Sequence, residues 1–180
     1  SAANESGIWK INLASQQVSG NVRWDGKDRG KLSGHLERMV IEPTAVASKI
    51  DTEETVERLP AIDLIIDDFS VGVNQFGRVE LQAHNEKRAW RIDKIVATNP
   101  HGKLAGSGFW YADKNRNRTQ LDVRIESSNV GKLLERFGYA QTVSGGTAIL
   151  DGQVSWNGTP LSIDYASLSG TLDLSASKGQ

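Results

Sequence analysis

Few side chains in this sequence are spaced for chemistry. Asp67-Asp68 is the only adjacent acid pair in a strand context, and two carboxylates together could share a proton or a metal. Neighbouring residues of a strand point to opposite faces, so this pair can act together only where a bulge intervenes. His35, His84 and His101 are far apart, with no i, i+2 or i, i+4 partner, and a histidine metal site is unsupported. Gly106-Ser107-Gly108 is followed by Phe109-Trp110 and not by Lys-Ser/Thr, so it reads as strand and not as a phosphate loop. Gly145-Gly146 fails in the same way, and no G-x-S-x-G elbow occurs among the serines. These residues predict no catalytic site, no metal and no cofactor. The five tryptophans lie on or beside strands. They read either as core and strand-end packing or as an aromatic rim for lipid head groups or sugars.

The elements that must position these residues are strands with a period of two. Trp9, Ile11 and Leu13 alternate with Ile8, Lys10 and Asn12. Val18 to Trp24 and Lys31 to Ile41 form a hairpin across the polar turn 25–30. Ile62, Leu64 and Ile66 alternate with Asp63, Ile65 and Asp67, and Phe69, Val71 and Val73 continue after a kink. Val79, Leu81 and Ala83 stand against Arg78, Glu80, Gln82 and His84. Strands then run from Trp90 to Ala97 and from Lys103 to Tyr111. Leu121, Val123 and Ile125 against Asp122, Arg124 and Glu126 form the most regular strand. Each reads as half dry and half wet. The stretch 44–60 has no such pattern and reads as a polar loop, with Asp51-Thr52-Glu53-Glu54 as a candidate cap for a short helix toward Arg58.

One piece of wording recurs. Gly20-Asn21-Val22-Arg23-Trp24-Asp25-Gly26 and Gly152-Gln153-Val154-Ser155-Trp156-Asn157-Gly158 share G-x-V-x-W-x-G, offset by 132 residues (152 minus 20). Leu32-Ser33-Gly34-His35-Leu36 and Leu168-Ser169-Gly170-Thr171-Leu172 share L-S-G-x-L, offset by 136 (170 minus 34). Leu104-Ala105-Gly106-Ser107-Gly108-Phe109-Trp110 is a weaker echo. Such recurrence suggests strand-turn-strand units that each extend the sheet of the last. In the later copy Asn157-Gly158-Thr159-Pro160 predicts a turn, with Leu161 to Leu174 as the returning strand.

Only one helix is expected, over 128–138. Ser127 or Ser128 can cap it, Val130, Leu133, Leu134 and Phe137 fall on one face, and Gly138 stops it. A helix of about 15 Å shades about three strands at ~4.8 Å spacing. The rest of the dry face needs another cover: a second sheet, the same sheet curled over, or an apolar ligand.

Composition narrows the classes. The 180 residues carry a formal charge of −1, which gives no basic stripe for nucleic acid. There is no cysteine, hence no disulfide framework or thiolate metal site. No run approaches the ~18 apolar residues of a membrane span or resembles a signal peptide. Ser1 to Ser6 reads as a frayed end, and the ends together suggest a segment of something longer.

The order of elements resembles AsmA-like proteins of the YhdP type. The resemblance covers roughly 60–179. It runs through Pro60-Ala61-Ile62-Asp63-Leu64, Phe76-Gly77-Arg78-Val79-Glu80-Leu81 and Trp90-Arg91-Ile92, then Leu104 to Trp110 and Thr119 to Val123. It is closest from Asn129-Val130-Gly131-Lys132-Leu133-Leu134 through Ser144-Gly145-Gly146, Leu150-Asp151-Gly152 and Val154 to Pro160. Leu168 to Leu172 and Lys178-Gly179 complete it. The resemblance implies a segment of a Gram-negative envelope protein, anchored in the inner membrane by a helix outside this stretch. Its repeated strands would curl into a periplasmic groove that conducts phospholipid toward the outer membrane.

The expected fold is mainly β: a curved antiparallel sheet forming a groove (a β-taco), with one short α-helix. Residues 1–180 are expected to be one segment of a larger repeat protein, with a first hairpin unit at 8–42, a polar loop at 43–60 and AsmA-like strands at 61–180. Leu64, Ile66, Val79, Leu81, Ile92, Leu121, Val123, Ile125, Leu150 and Val154 are the lipid-facing candidates, and Val130, Leu133, Leu134 and Phe137 a lid helix. The expected partners are phospholipid acyl chains and adjoining segments of the same chain, with no nucleic acid and membrane contact only through parts outside this segment. The competing class is a β-sandwich module for carbohydrate or protein. A jelly-roll hydrolase comes last, because no acid pair or triad is legible.

Overall fold

The computed structural model describes residues 1–5, 7–42, 58–113, 116–136 and 145–177. Alternation of apolar and polar residues gives eleven strands, all in one sheet and in sequence order. They are β1 (Ala2–Glu5), β2 (Ile8–Ala14), β3 (Val18–Asp25), β4 (Lys31–Ile41), β5 (Ala61–Val71) and β6 (Asn74–Glu86). β7 (Ala89–Asn99), β8 (Gly102–Asp113), β9 (Arg116–Ser127), β10 (Thr147–Asn157) and β11 (Ser169–Ser177) follow. Among the described residues one short helix, α1 (Val130–Arg136), stands between β9 and β10. The sheet is curved and unclosed. Every neighbouring pair is antiparallel except β4 and β5, which run parallel. A parallel pair needs a crossover, and most of the chain between β4 and β5 lies outside the described residues. The helix expected toward Arg58 falls mostly outside the described residues.

Three readings are corrected. Ser1 to Ser6 is not simply a frayed end: Ala2 to Glu5 pair with Ile11 to Ile8 as an edge strand. The returning strand of the last hairpin starts at Ser169 and not at Leu161, so the connection is the eleven-residue loop 158–168 and not a tight turn at Asn157-Gly158. The helix cap is Asn129, whose Oδ1 accepts the Lys132 N–H at 3.0 Å. Ser127 and Ser128 instead donate their hydroxyls to the His101 carbonyl. Phe137 and Gly138 lie outside the described residues.

The two copies of the repeated wording place their glycines in the same register, although their connections differ. Gly20 pairs with Leu36 and Val22 with Gly34 in the first. Gly152 pairs with Leu172 and Val154 with Gly170 in the second. The reason is steric. A Cβ on Gly34 would fall 2.3 Å from the Asn21 carbonyl oxygen, and one on Gly152 would fall 2.0 Å from that of Thr171. The third echo behaves alike: a Cβ on Gly108 would fall 2.1 Å from the Gln120 oxygen. At these places the backbone of one strand comes close to its neighbour, which only glycine permits.

Gly108→Ala is therefore expected to cost about 1–3 kcal/mol, the usual range for overpacking. Gly26→Ala, whose Cβ would meet only the Trp24 indole nitrogen at an ordinary 3.6 Å, should shift stability by less than about 0.5 kcal/mol. Urea unfolding of the two variants checks this, and equal losses would contradict the steric reading.

Candidate functional site

Tracing the register from strand to strand builds a continuous apolar face. One row runs Leu13, Gly20, Leu36, Ile66, Val79, Ala97, Leu104, Ile125, Leu150, Leu174. The next runs Ile11, Val22, Gly34, Leu64, Leu81, Ile95, Gly106, Val123, Gly152, Leu172, and a third contains Leu32, Ile62, Ala83, Ile92, Gly108, Leu121 and Val154. None of the residues named in the three rows is polar. At ~4.8 Å per strand, such a ten-strand ladder extends roughly 43 Å across the sheet. All ten residues expected to face lipid lie in these rows. Their neighbours Ile11, Leu13, Val22, Leu36, Ile95 and Leu104 were missed. Ile95 is out of step because a register shift between Ile92 and Ile95 resets the parity.

Burial is uneven along this face. Val22, Leu36, Leu64 and Ile66 form one buried cluster, and Ala83, Trp90, Ile92, Trp110 and Ala112 a second. Ile92 is 2 % exposed and Ile66 3 %, whereas Leu172 and Leu174 at the β11 edge are 46 % and 66 % exposed. The described residues form a single sheet, and no second sheet faces the first. Curvature brings the central side chains against one another, and the face stays open toward β11.

One rim of the face is built by tryptophan. Trp90, Trp110 and Trp156 are buried, and each indole N–H donates locally: to the Pro60 carbonyl at 3.2 Å, Asn117 Oδ1 at 2.9 Å and the Thr159 carbonyl at 3.0 Å. Trp24 packs over Gly30, and Trp9 is half exposed. Rim packing thus accounts for most of the tryptophans.

The helix sits at the opposite rim. Backbone N–H groups of Val130 and Gly131 donate to the carbonyls of Gly146 and Gly145, so the glycine pair anchors the helix start. Leu133 lies where a side chain on Gly102 would otherwise stand, with its methyl carbons 3.3–3.4 Å from that Cβ position. Arg136 Nε reaches the Gln75 carbonyl of β6 at 2.8 Å. Val130, Leu133 and Leu134 are half buried.

The other face is wet and carries the titratable groups. Asp67-Asp68 does fall in a register irregularity, opposite Arg78. The bulge does not make a dyad, because Asp67 is engaged by His35 Nε2 at 2.7 Å and by Arg78. A second irregularity places Asp93 beside His84 at 2.6 Å and Arg91 at 3.2 Å. Lys94 holds the Glu80 carboxyl below the ordinary glutamate value through a 2.7 Å hydrogen bond and its charge. Arg124 does the same to Glu126, and its own pKa is raised by Glu126 and then Asp151. Exposed pairs of this kind stabilise little, but they fix which residues face each other across strands. Among the described residues no three His, Asp or Glu gather to hold a metal ion. A depression of about 630 Å³ lies at the β1–β4 end, lined by Lys10, Asn12, Asn21 and Arg23 and by Ile11, Val22 and Gly34, where the second apolar row begins.

Val123→Asp puts a carboxylate into the apolar rows and is expected to cost roughly 1–3 kcal/mol or more. Arg124→Ser, on the wet face beside it, should change stability little because its ion pairs are in solvent. Melting curves check the contrast, and equal shifts would contradict the face assignment.

The family model described as YhdP protein matches residues 1–180. No curated protein and no solved structure matches the chain. The match spans every strand of the sheet, both copies of the repeated hairpin and the helix between them, so the chain belongs to the YhdP family.

Proposed function

We propose that this chain is a section of a groove that holds phospholipid acyl chains against its apolar face and passes them through the periplasm toward the outer membrane. The observation that carries this reading is the unbroken apolar ladder across the sheet, with no second sheet facing it among the described residues. Apolar burial is non-directional, so such a face suits acyl chains that slide and does not suit one rigid ligand in one pose. Leu64, Ile66, Val79, Leu81, Ile92, Leu121, Val123, Ile125, Leu150 and Val154 form the lipid-facing floor, and α1 acts as a lid at one rim. The role is passive and not enzymatic. Membership of the YhdP family supports an envelope setting. Adjoining segments of the same long chain would continue the sheet. β11 suits this, since all nine of its residues are exposed and none is lysine or proline, the usual guards of a free edge. No helix among the described residues is long and apolar enough to cross a membrane, which fits an anchor elsewhere in the parent protein.

Titration with a fluorescent fatty acid tests the reading. The chain should bind it without metal, and phospholipids of different head groups should compete about equally. Leu81→Glu should abolish binding while the fold survives, and Arg124→Ser should not affect it. Binding that survives Leu81→Glu, or no binding by the parent chain, would favour a carbohydrate- or protein-binding module instead.

A further inference from the structure

Described turns on the tryptophan rim are charged where they meet water. Lys27, Asp28 and Arg29 stand exposed between β3 and β4, and Glu86, Lys87 and Arg88 between β6 and β7. The loop 158–168 between β10 and β11 is different. It has no lysine or arginine and a single acid, Asp164. That carboxylate is exposed but bonded within the loop: Oδ1 accepts the Ala166 N–H at 3.2 Å and Oδ2 accepts the Ser167 hydroxyl at 2.6 Å. Further bonds close the loop on itself and on the sheet. The Ser162 and Ser167 N–H groups donate to the Thr159 and Asp164 carbonyls, and the Asn157 N–H donates to Ser167 Oγ at 2.8 Å. Thr119, fully buried, donates its hydroxyl to the Gly158 carbonyl at 2.8 Å. The loop is held in one shape, yet it shows Leu161, Ile163, Tyr165 and Leu168 to solvent at 50, 46, 72 and 45 % exposure.

We propose that this loop is a membrane-contact element, whose apolar side chains enter the interface of a lipid bilayer where the apolar face of the sheet opens at its rim. Four observations converge on a bilayer as the partner. Several of the loop's polar groups are already bonded within the protein, so entering a less polar medium strands fewer of them. Its one carboxylate accepts two hydrogen bonds from within the loop, and tyrosine with leucine and isoleucine is an interfacial composition. Lys27, Arg29, Lys87 and Arg88 lie on the same rim, where they can meet phosphate groups. Leu168 continues the alternation of Leu172 and Leu174, so the loop leads directly onto the dry face. A strand added to β11 does not account for the loop, because a ladder on residues 169–177 leaves Leu161, Ile163 and Tyr165 bare. The proposal departs from the expectation that membrane contact belongs only to parts outside this segment. It does not require acyl chains in the groove.

The chain has no cysteine, so Tyr165→Cys gives a unique site for an environment-sensitive fluorophore. With phosphatidylcholine vesicles, the label at 165 should shift to the blue, while the same label on Lys132→Cys in α1, at the opposite rim, should not. In flotation with these vesicles, combined Leu161→Ser, Ile163→Ser and Tyr165→Ser should weaken partitioning about tenfold or more, since membrane affinity scales with the apolar area inserted. That variant should still bind fatty acid, and Leu81→Glu should still float, which separates failure of this proposal from failure of the groove reading. No shift at 165, equal shifts at both labels, or a triple variant that floats like the parent chain would overturn the proposal. So would a triple variant that loses self-association in sedimentation instead of flotation, which would assign the loop to contact between copies.

Discussion

The sheet carries a full apolar face with no facing sheet among the described residues, and the rest of the structure answers that constraint. Fully burying one leucine or isoleucine stabilises by about 1.5–3 kcal/mol, so a face this long cannot be left flat in water. Bending toward it is the available solution. Glycines in the apolar rows let strands approach closely: Gly20, Gly34, Gly106, Gly108, Gly152 and Gly170 all stand where a Cβ would strike the backbone of the neighbouring strand. In the middle row they alternate with bulky residues, as in Ile95, Gly106, Val123, Gly152, Leu172. The same glycines that let strands lean together also widen the space above the face.

The wet face explains how the bend stays in register. Two register irregularities, at Asp67-Asp68 and at Asp93, are each clamped by a histidine on a neighbouring strand and by an arginine. The residues with the most chemical promise in the sequence thus serve as register pins. Each pair is half exposed and weak alone. Together they oppose a one-residue slip, which would turn every apolar side chain into water.

How much of this was legible follows from periodicity. Strands with an unbroken period of two, such as Leu121 to Ile125, put their residues on the expected face. The period breaks at the bulges, and Ile95 was lost there, because nothing local distinguishes a bulged Asp-Lys from a strand pair. The parallel β4–β5 pair was not legible either, since its crossover has no pattern of its own. The repeated G-x-V-x-W-x-G and L-S-G-x-L wording was visible, but its meaning was not. Only the register shows that each glycine lies opposite a bulky apolar residue. At the last hairpin, Asn157-Gly158 looked like a tight turn. The burial of Trp156 and Thr119 against the loop backbone makes a longer, ordered connection instead.

The central claim is that the apolar face is completed by acyl chains. Mass spectrometry of lipid extracted from the purified, folded protein tests it most directly. The account predicts phospholipid in near-stoichiometric amount, with head groups in the proportions of the host membrane. A folded protein that carries no phospholipid after gentle purification, and gains none on incubation with vesicles, would contradict it.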